Sequence, residues 1–429
     1  MMKDSGIEWV GSIPYNWAVV PAGGLFTEIK EKNKNLKYRN PLQFKFGTIV
    51  DKAYVGDLDA NLLETLSTYT CVEPDTIILN GLNLNYDFVS QRVAIVTKPG
   101  VITSAYLAVY PDKSRILPRY ANYLLKAYDS IFVFHGMGSG VRKTLQWKDF
   151  KNLKFVLPSK EEQSSIIETL DSLVAKTDAL IANVQTQIEK LKAYKQSLIT
   201  EVVTKGLDPA VPMKDSELLW FGTIPKHWKL AKIKLFASTC SGGTPPSGDM
   251  SYYDGDVNWV CSYDLHEAEI TETGKTLSDK GAALIAGEMQ SPNSILIAMY
   301  GGSGTIGNSG LLKCHARTNQ AICSVNFDEA VLDPRFAFYQ TMFIRKYWMY
   351  YAVGTRKDPN ISQDVVRNMK YVIPPMEEQQ EIVRLMDGKC SQIDRLLAIK
   401  QSKIEKLEQY KRSLIYEYVT GKKEVPAQY

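Results

Sequence analysis

Histidine is scarce in this chain and cysteine shows no pattern. The 429 residues hold four His and six Cys (Cys71, Cys240, Cys261, Cys314, Cys323, Cys390), with no C-x-x-C pair and no His at ligand spacing. A zinc site or a disulfide framework is therefore not expected, and reduced, partly buried thiols are the better reading. Long apolar runs are absent too: none approaches the roughly 20 residues of a membrane span. The opening Met1-Met2-Lys3-Asp4-Ser5-Gly6 lacks the apolar core of a signal peptide, so the expectation is a cytoplasmic protein with no membrane partner. Charge of one sign is also missing. Lys and Arg number 51 against 47 Asp and Glu, a formal net of +4 with a pI near 8.5. Such a balance permits nucleic-acid binding without arguing for it. A hydrophobic content of 45% and a charged content of 23% describe an ordinary globular protein, long enough for two or three domains with cores of their own.

Catalytic signatures are lacking as well. Gly302-Ser-Gly304-Thr-Ile-Gly307 spells G-x-G-x-x-G, but Asn308-Ser309-Gly310 and a strand-like run follow it instead of a helix, so it reads as a turn between strands. Gly138-Ser-Gly-Val-Arg-Lys143-Thr144 lacks the G-K-[ST] ending of a nucleotide-binding loop. Asp112 and Asp149 are too far apart for a metal-nuclease pattern and read as surface charge. The [DNS]-P-P-[YFW] loop that holds a flipped adenine is absent, since Pro374-Pro375 lies between Ile373 and Met376.

What the chain does have is a long internal repeat. Asp4-Ser-Gly-Ile-Glu-Trp9-Val-Gly11-Ser-Ile13-Pro14-Tyr-Asn-Trp17 returns as Asp215-Ser-Glu-Leu-Leu-Trp220-Phe-Gly222-Thr-Ile224-Pro225-Lys-His-Trp228. His227 thus stands where Asn16 does, which argues against a His acid/base role. Pro118-Arg119-Tyr120 matches Pro334-Arg335-Phe336, and from Pro158 and Pro374 onward about 22 of 47 positions are identical. The period, a little over 200 residues, is too long for a solenoid; the chain is a tandem duplication.

Each copy ends in a long helix. Ser159 with Glu162 forms a capping box, Pro374 and Pro375 suit a helix start, and Glu161, Glu162, Glu377 and Glu378 complement the dipole. Apolar residues recur at steps of three and four: Ile166, Leu170, Leu173, Leu180, Val184, Ile188, Leu191, Tyr194 and Leu198, then Ile382, Met386, Ile393, Leu396, Ile404, Leu407 and Leu414. This is a coiled-coil seam, and some forty residues make a rod of roughly 60 Å. Between these helices lie blocks that match poorly in sequence. Residues 19–157 carry short runs at Thr76–Leu79, Arg92–Val96 and Tyr106–Val109; residues 230–373 carry Val257–Val260, Ser294–Ala298 and Ala321–Val325. With short helical stretches at Tyr120–Tyr128 and Phe336–Met342, both blocks read as compact α+β domains.

The W-x-G-x-I-P-x-x-W opener, the I/L-P-x-x-E-E-Q-x-x-I helix start and the L-x-x-Y-K-x-S-L-I-x-E-x-V-T exit each occur twice and span the chain. In this arrangement the sequence resembles the specificity subunits of type I restriction–modification systems. The second block strengthens the likeness with Ser241-Gly-Gly-Thr-Pro245, Asn319-Gln-Ala-Ile322 and Gly354-Thr-Arg356; the first block has Asn80-Gly-Leu-Asn-Leu-Asn85 and Ile102-Thr-Ser-Ala-Tyr106 in place of a G-G-T-P element.

The resemblance implies an α+β protein with two target-recognition domains, held apart by two long antiparallel coiled-coil helices in a pseudo-two-fold tandem repeat. The division is 1–158 (domain 1), 159–206 (first helix), 207–374 (linker and domain 2), 375–422 (second helix) and 423–429 (tail). Each domain would read one half of a bipartite duplex, with centres about one helical turn apart. The helices would dock two modification subunits, which carry S-adenosylmethionine, and through them the restriction and translocase subunits. No cofactor and no catalytic residue is expected on this chain. Residues 1–158 carry a net charge of about +5 and 215–374 about −1, so neither block is a strong electrostatic magnet. DNA contacts are therefore sought in Gly-rich loops beside side chains that read base edges or hold phosphates. In the first block these are Asn83, Asn85, Tyr86, Gln91, Arg92, Arg142 and Lys143. In the second they are Thr244, Tyr252, Tyr253, Ser303, Thr305, Arg317, Asn319, Gln320, Arg356 and Lys357. The competing readings are a specificity subunit of a related system with other partners, an enzyme with an unrecognised centre, and a coiled-coil scaffold indifferent to DNA sequence.

Overall fold

The computed structural model describes all residues except 54–59, 90, 139, 141, 302–303, 355–358 and 426–429. The chain forms two compact units, residues 1–185 with 401–429 and residues 186–400. This partition cuts through both long helices, so each unit contains a part of each.

Unit 1 begins with an antiparallel hairpin, Met2–Asp4 against Ser12–Pro14. It is built around a four-stranded antiparallel sheet of β1 (Phe26–Glu28), β2 (Ile77–Leu79), β3 (Val93–Ile95) and β4 (Leu107–Pro111), in the order β1-β4-β2-β3. Side chains alternate across it as a strand requires. Ile77, Leu79, Val93, Leu107 and Val109 join the main core, while Ile78 and Ala108 join a second cluster with Leu42, Val72 and Ile102. Both faces are therefore covered. Helix α1 (Pro118–Ser130), with Pro at its first turn, buries Tyr120, Leu124, Leu125 and Tyr128 on the main face. Helix α2 (Lys160–Lys205) adds Ile166 and Leu170. Each such side chain contributes about 1.5–3 kcal/mol when fully buried.

Unit 2 repeats the plan. Its hairpin is Met213–Asp215 against Thr223–Pro225. Its sheet comprises β5 (Ala237–Ser241), β6 (Ala268–Ile270), β7 (Ile295–Ala298), β8 (Ser309–Leu312) and β9 (Ile322–Phe327), in the order β5-β9-β7-β8-β6. All pairs are antiparallel except β6 with β8. Ile295, Ile297 and Val325 face one cluster, Leu296, Ala298 and Ile322 the other. Helix α3 (Pro334–Ile344) takes the place of α1, and helix α4 (Met376–Val419) supplies Ile382 and Met386. The unit is α+β like the first, as expected for both blocks.

The repeated sequence motifs are the joints of this scaffold. Ser159 and Glu162 form the capping box, with Glu162 N–H donating to Ser159 Oγ (3.2 Å) and Ser159 N–H to Glu162 Oε2 (3.1 Å). Glu162 also accepts from Trp17 Nε1 at 3.4 Å, and Glu378 accepts from Trp228 Nε1 at 3.1 Å. The adjacent Gln is fully buried in both copies. Gln163 accepts from Leu117 N–H (2.8 Å) and donates to the carbonyls of Arg115 and Pro158. Gln379 repeats this with Asp333 N–H (2.7 Å), Val331 and Pro374. Asp171 receives Arg119 and Tyr123, as Asp387 receives Arg335 and Tyr339. E-E-Q thus ties the helix start to the opener and to the segment before the short helix.

Within unit 1 Lys411 of α4 pairs with Asp178 of α2 at 2.7 Å. Within unit 2 Lys195 pairs with Asp394 at 2.7 Å and Lys400 donates to Gln187 at 2.5 Å. Most of the expected seam positions are buried or half-buried, and burial corrects the seam at three of them. Leu180, Tyr194 and Leu396 are exposed (49%, 55% and 45%), and the covered positions are their neighbours Ile181, Lys195 and Leu397, together with buried Thr177 and Cys390. Helical geometry admits Thr177 and the stems of Lys195, Lys400 and Lys411 at these places, where a count of apolar residues alone skips them. Among the described residues no helix is long and apolar enough to cross a membrane, and no group of three or more His, Cys, Asp and Glu is placed to hold a metal ion.

Candidate nucleic-acid interface

In both units a loop leaves the central sheet at the same place, between β2 and β3 and between β7 and β8. It is held there by one corresponding backbone bond. Leu145 N–H donates to Gly81 O (2.9 Å) in unit 1, and Ile361 N–H donates to Met299 O (2.8 Å) in unit 2. The residue before each of these donors belongs to the second Gly-rich loop, so two candidate loops are joined in each unit. The close approach is why position 81 is glycine: a Cβ there would meet Leu145 Cβ at 2.6 Å.

In unit 1 this joint gathers Asn83, Asn85, Tyr86 and Lys143. Asn85 Oδ1 accepts from Lys143 N–H (3.1 Å), and Leu84 N–H donates to Lys143 O (3.0 Å). Asn83 sits at a left-handed φ of 53°, a conformation Asn tolerates, and is exposed like Tyr86 and Arg142. Arg92 has a different place from the one expected of a DNA contact. It is 1% exposed, and its guanidinium donates to the carbonyls of Asn80 (2.9 Å), Leu82 (2.8 Å) and Asp87 (2.6 Å). A charge so enclosed cannot reach a phosphate; it holds the loop that carries Asn83, Asn85 and Tyr86. The Arg92 amide in turn donates to Asp129 Oδ2 at 2.7 Å. Burial pushes the Asp129 carboxyl up to about 6, against this amide and the Arg92 charge, which hold it down. Gln91 is exposed and packs on the turn at Gly47, which has a positive φ.

In unit 2 the same sheet end collects a second set. Gly243 N–H donates to Thr318 O (2.9 Å), and position 242 must be glycine because a Cβ would collide with Thr318 O. The Thr244 hydroxyl donates to Gln320 Oε1, Asn319 Oδ1 accepts from Ala321 N–H (3.1 Å), and Trp259 Nε1 donates to Gly243 O (3.3 Å). Tyr253 anchors the far side through its hydroxyl to Pro245 O (2.7 Å). Tyr300, which the sequence alone did not single out, is joined to Asn360 by a backbone bridge; burial pushes its hydroxyl pKa up and the Gln320 side chain opposes that shift. Its position beside Gly301 was the available signal. Thr305 closes the Gly turn by donating to Gly301 O (2.8 Å), and Arg345 donates to Gly304 O (3.3 Å). Arg317 is half-buried and donates to Gly287 O (2.6 Å), which makes it a brace for the neighbouring turn. Lys280 Nζ lies 4.7 Å from the ring centroid of Tyr252. Ser303, Arg356 and Lys357 lie outside the described residues.

Each unit therefore presents, at one end of a rigid sheet, an amide-bearing loop whose backbone is already tied down. Asn and Gln side chains on such a loop can match the donor and acceptor edge of a base, and the adjoining Lys, Arg and Tyr suit phosphate contact.

Known proteins share the sequence and the fold of this chain. The family profile described as Type I restriction modification DNA specificity domain matches residues 86–190 and 225–409. The type I restriction enzyme MjaVIII specificity subunit of Methanocaldococcus jannaschii is 24% identical over 425 residues, covering 96% of this chain and 93% of that protein. The type I restriction enzyme EcoBI specificity subunit of Escherichia coli is 22% identical over 303 residues, covering 68% of this chain and 62% of that protein. Among solved structures, a chain from work on complex assembly and conformational transition of the type I R-M system superposes with a TM-score of 0.68 at 12% identity, covering 95% of this chain and 98% of that one. The chain belongs to the type I restriction modification DNA specificity family, as a recognition subunit rather than a catalytic one.

Proposed function

We propose that each unit reads one half of a bipartite double-stranded DNA target, with the paired long helices acting as an antiparallel coiled-coil spacer. The observation that carries this is the doubled loop joint, Leu145 to Gly81 and Ile361 to Met299, with different side chains mounted on each copy. Two readers on one scaffold, each with its own loop chemistry, give two unlike half-sites. The contacting side chains are Asn83, Asn85, Tyr86, Arg142 and Lys143 in unit 1, and Thr244, Tyr300, Asn319 and Gln320 in unit 2, with Ser303, Arg356 and Lys357 assigned from their Gly-rich loops. Gln91, Tyr252, Tyr253, Thr305 and Arg317 flank or brace them.

The partners follow from the same doubling. One Leu and one Tyr are exposed at equivalent positions of the repeat on the helix segments of each unit, Leu180 with Tyr410 in unit 1 and Leu396 with Tyr194 in unit 2, where Leu385 and Ile399 are exposed as well. Apolar residues exposed twice over in this way support one modification subunit on each unit, two per chain. S-adenosylmethionine belongs to those subunits, the restriction and translocase subunits join through them, and the assembly works in the cytoplasm.

Selection from a random duplex pool, with the full chain co-purified with its modification subunit, tests the reading. Two short fixed sequences separated by an invariant gap are the expected result. An assembled complex that selects no motif overturns it in favour of a scaffold. Charge reversal of Arg356 and Lys357 is expected to weaken discrimination at one half-site only.

A further inference from the structure

The segment that follows the first strand of each sheet lies at the reading end. In unit 2 β5 ends at Ser241, paired with Cys323, and Ser241-Gly-Gly-Thr-Pro245 follows. In unit 1 β1 ends at Glu28, paired with Val109, and Ile29 N–H donates to Ala108 O. Leu107 of the same β4 strand pairs with Leu79, from which the Asn80–Asn85 loop departs. The place of the G-G-T-P element is thus taken by Lys30-Glu31-Lys32-Asn33-Lys34.

This segment borders an open cleft of about 560 Å³, lined by Lys32, Lys34, Thr68, Tyr69, Thr103 and Ser104 among others, none of them acidic. The cleft is built. Asn33 is 1% exposed and pins the backbone between the two lysines, donating to Tyr38 O (2.7 Å) and Leu66 O (3.3 Å) and accepting from Tyr38 N–H (3.1 Å). Ser104 Oγ receives Lys32 Nζ and donates to Thr68 O (2.7 Å), with Thr70 Oγ1 at 3.1 Å. The neighbouring lysines are already neutralised, Lys30 by Glu28 (2.7 Å) and Lys37 by Glu73 (3.0 Å). Among the described residues no carboxylate pairs with Lys32 or Lys34. Two unneutralised ammonium groups beside hydroxyls, at the sheet end where the reading loop emerges, suit a phosphodiester.

We propose that this cleft is a phosphate clamp of unit 1, gripping the DNA backbone next to the half-site that the Asn80–Asn85 loop reads. It rests on the proposed bipartite reading and adds to it a contact that fixes register without reading sequence. The test compares the wild-type complex with K32A/K34A, using the duplex that the wild type selects and a duplex mismatched in one half-site. Wild-type selection reports on the bipartite reading alone; the ratio of variant to wild type reports on the clamp. Affinity for both duplexes is expected to fall by about tenfold. The slope of log K against log salt should flatten by roughly 1.8, at ~0.9 for each phosphate no longer neutralised, with the selected bases unchanged. Ser104→Ala, which frees Lys32 from its tether, is expected to give a smaller loss of the same kind. Unchanged affinity and salt slope would overturn the clamp. So would a changed base preference in one half-site, which would make the lysines base readers. Equal losses from K30A/K37A, which removes the same charge outside the cleft, would reduce the effect to the general field of the surface and overturn it as well.

Discussion

The loops between β2 and β3 and between β7 and β8 occupy one place in two copies of the same scaffold, yet they are stiffened by opposite means. In unit 1 the loop has no glycine after Gly81 and wraps around a buried cation, Arg92, whose guanidinium serves three of its own carbonyls. In unit 2 the turn is Gly-rich and closed from inside by Thr305 and from outside by Arg345. The anchor below each loop is the same backbone bond, and the joints to the long helix, Gln163 and Gln379, make the same three bonds. Because a backbone bond depends little on side-chain identity, the scaffold persists while everything mounted above it varies. That division of labour is what a protein with two independent readers requires.

Removal of Arg92 tests the difference most severely. Arg92→Ala leaves three carbonyls unserved around a void and is expected to cost about 3–4 kcal/mol. The damage should be confined to unit 1: hydrogen exchange should rise across 80–92, and duplex selection should lose fixed bases in one half-site. Loss in both half-sites would break the two-reader comparison. The likeness is tested next. Gln163→Ala and Gln379→Ala each strand a buried N–H and two carbonyls, and both should cost about 2–3 kcal/mol by thermal denaturation. Clearly unequal costs would mean that the two joints, alike in geometry, bear different loads.

Asp129 offers a pH-dependent contrast, because its counterpart in unit 2 is Arg345. A carboxyl raised from about 3.9 in the unfolded chain to about 6 when folded binds its proton more tightly in the native state. Stability due to this group is therefore fully present below pH ~4, is lost as pH rises to about 6, and is flat above that. Asp129→Asn keeps an oxygen to accept the Arg92 amide and removes the titration. The variant should be more stable than wild type at pH 7 by up to about 3 kcal/mol, with a shallower pH dependence between 4 and 6. An unchanged slope in that window would mean that the carboxyl remains ionised in place.

Much of this architecture was legible in the sequence, because the repeat aligns the openers, the E-E-Q helix starts and the short helices without reference to structure. The strands at Ile77–Leu79 and Ile295–Ala298 were also plain, being short apolar runs between turns. Arg92 was harder to place. A basic residue beside Gln91 in a polar loop looks like a DNA contact, and only the fold shows three carbonyls converging on it. The Lys32 and Lys34 cleft was hidden for the opposite reason. Its walls come from 32–34, 67–70 and 103–105, segments that no local pattern connects. Tyr300 lay next to a noted Gly turn, yet its bridge to Asn360 depends on backbone pairing between segments that no local pattern connects.

The smallest effect concerns the helices, where apolar identity misplaced the seam by one residue at Leu180, Tyr194 and Leu396. Leu180→Ser and Leu396→Ser alter side chains that are about half exposed, so each should change stability by less than about 0.5 kcal/mol. Ile181→Ser and Leu397→Ser, one position along, lie at covered positions and should cost about 1–2 kcal/mol. If each unit docks one modification subunit through its exposed Leu and Tyr, the two mild variants should each weaken one docking event and leave the other. Sedimentation of the assembled complex would then show a species with a single modification subunit from either variant. Two subunits retained by both variants, at concentrations near the wild-type Kd, would remove these leucines from the docking surface. Loss of both subunits from a single substitution would show that the two units do not dock independently, a coupling that the separate cores give no reason to expect.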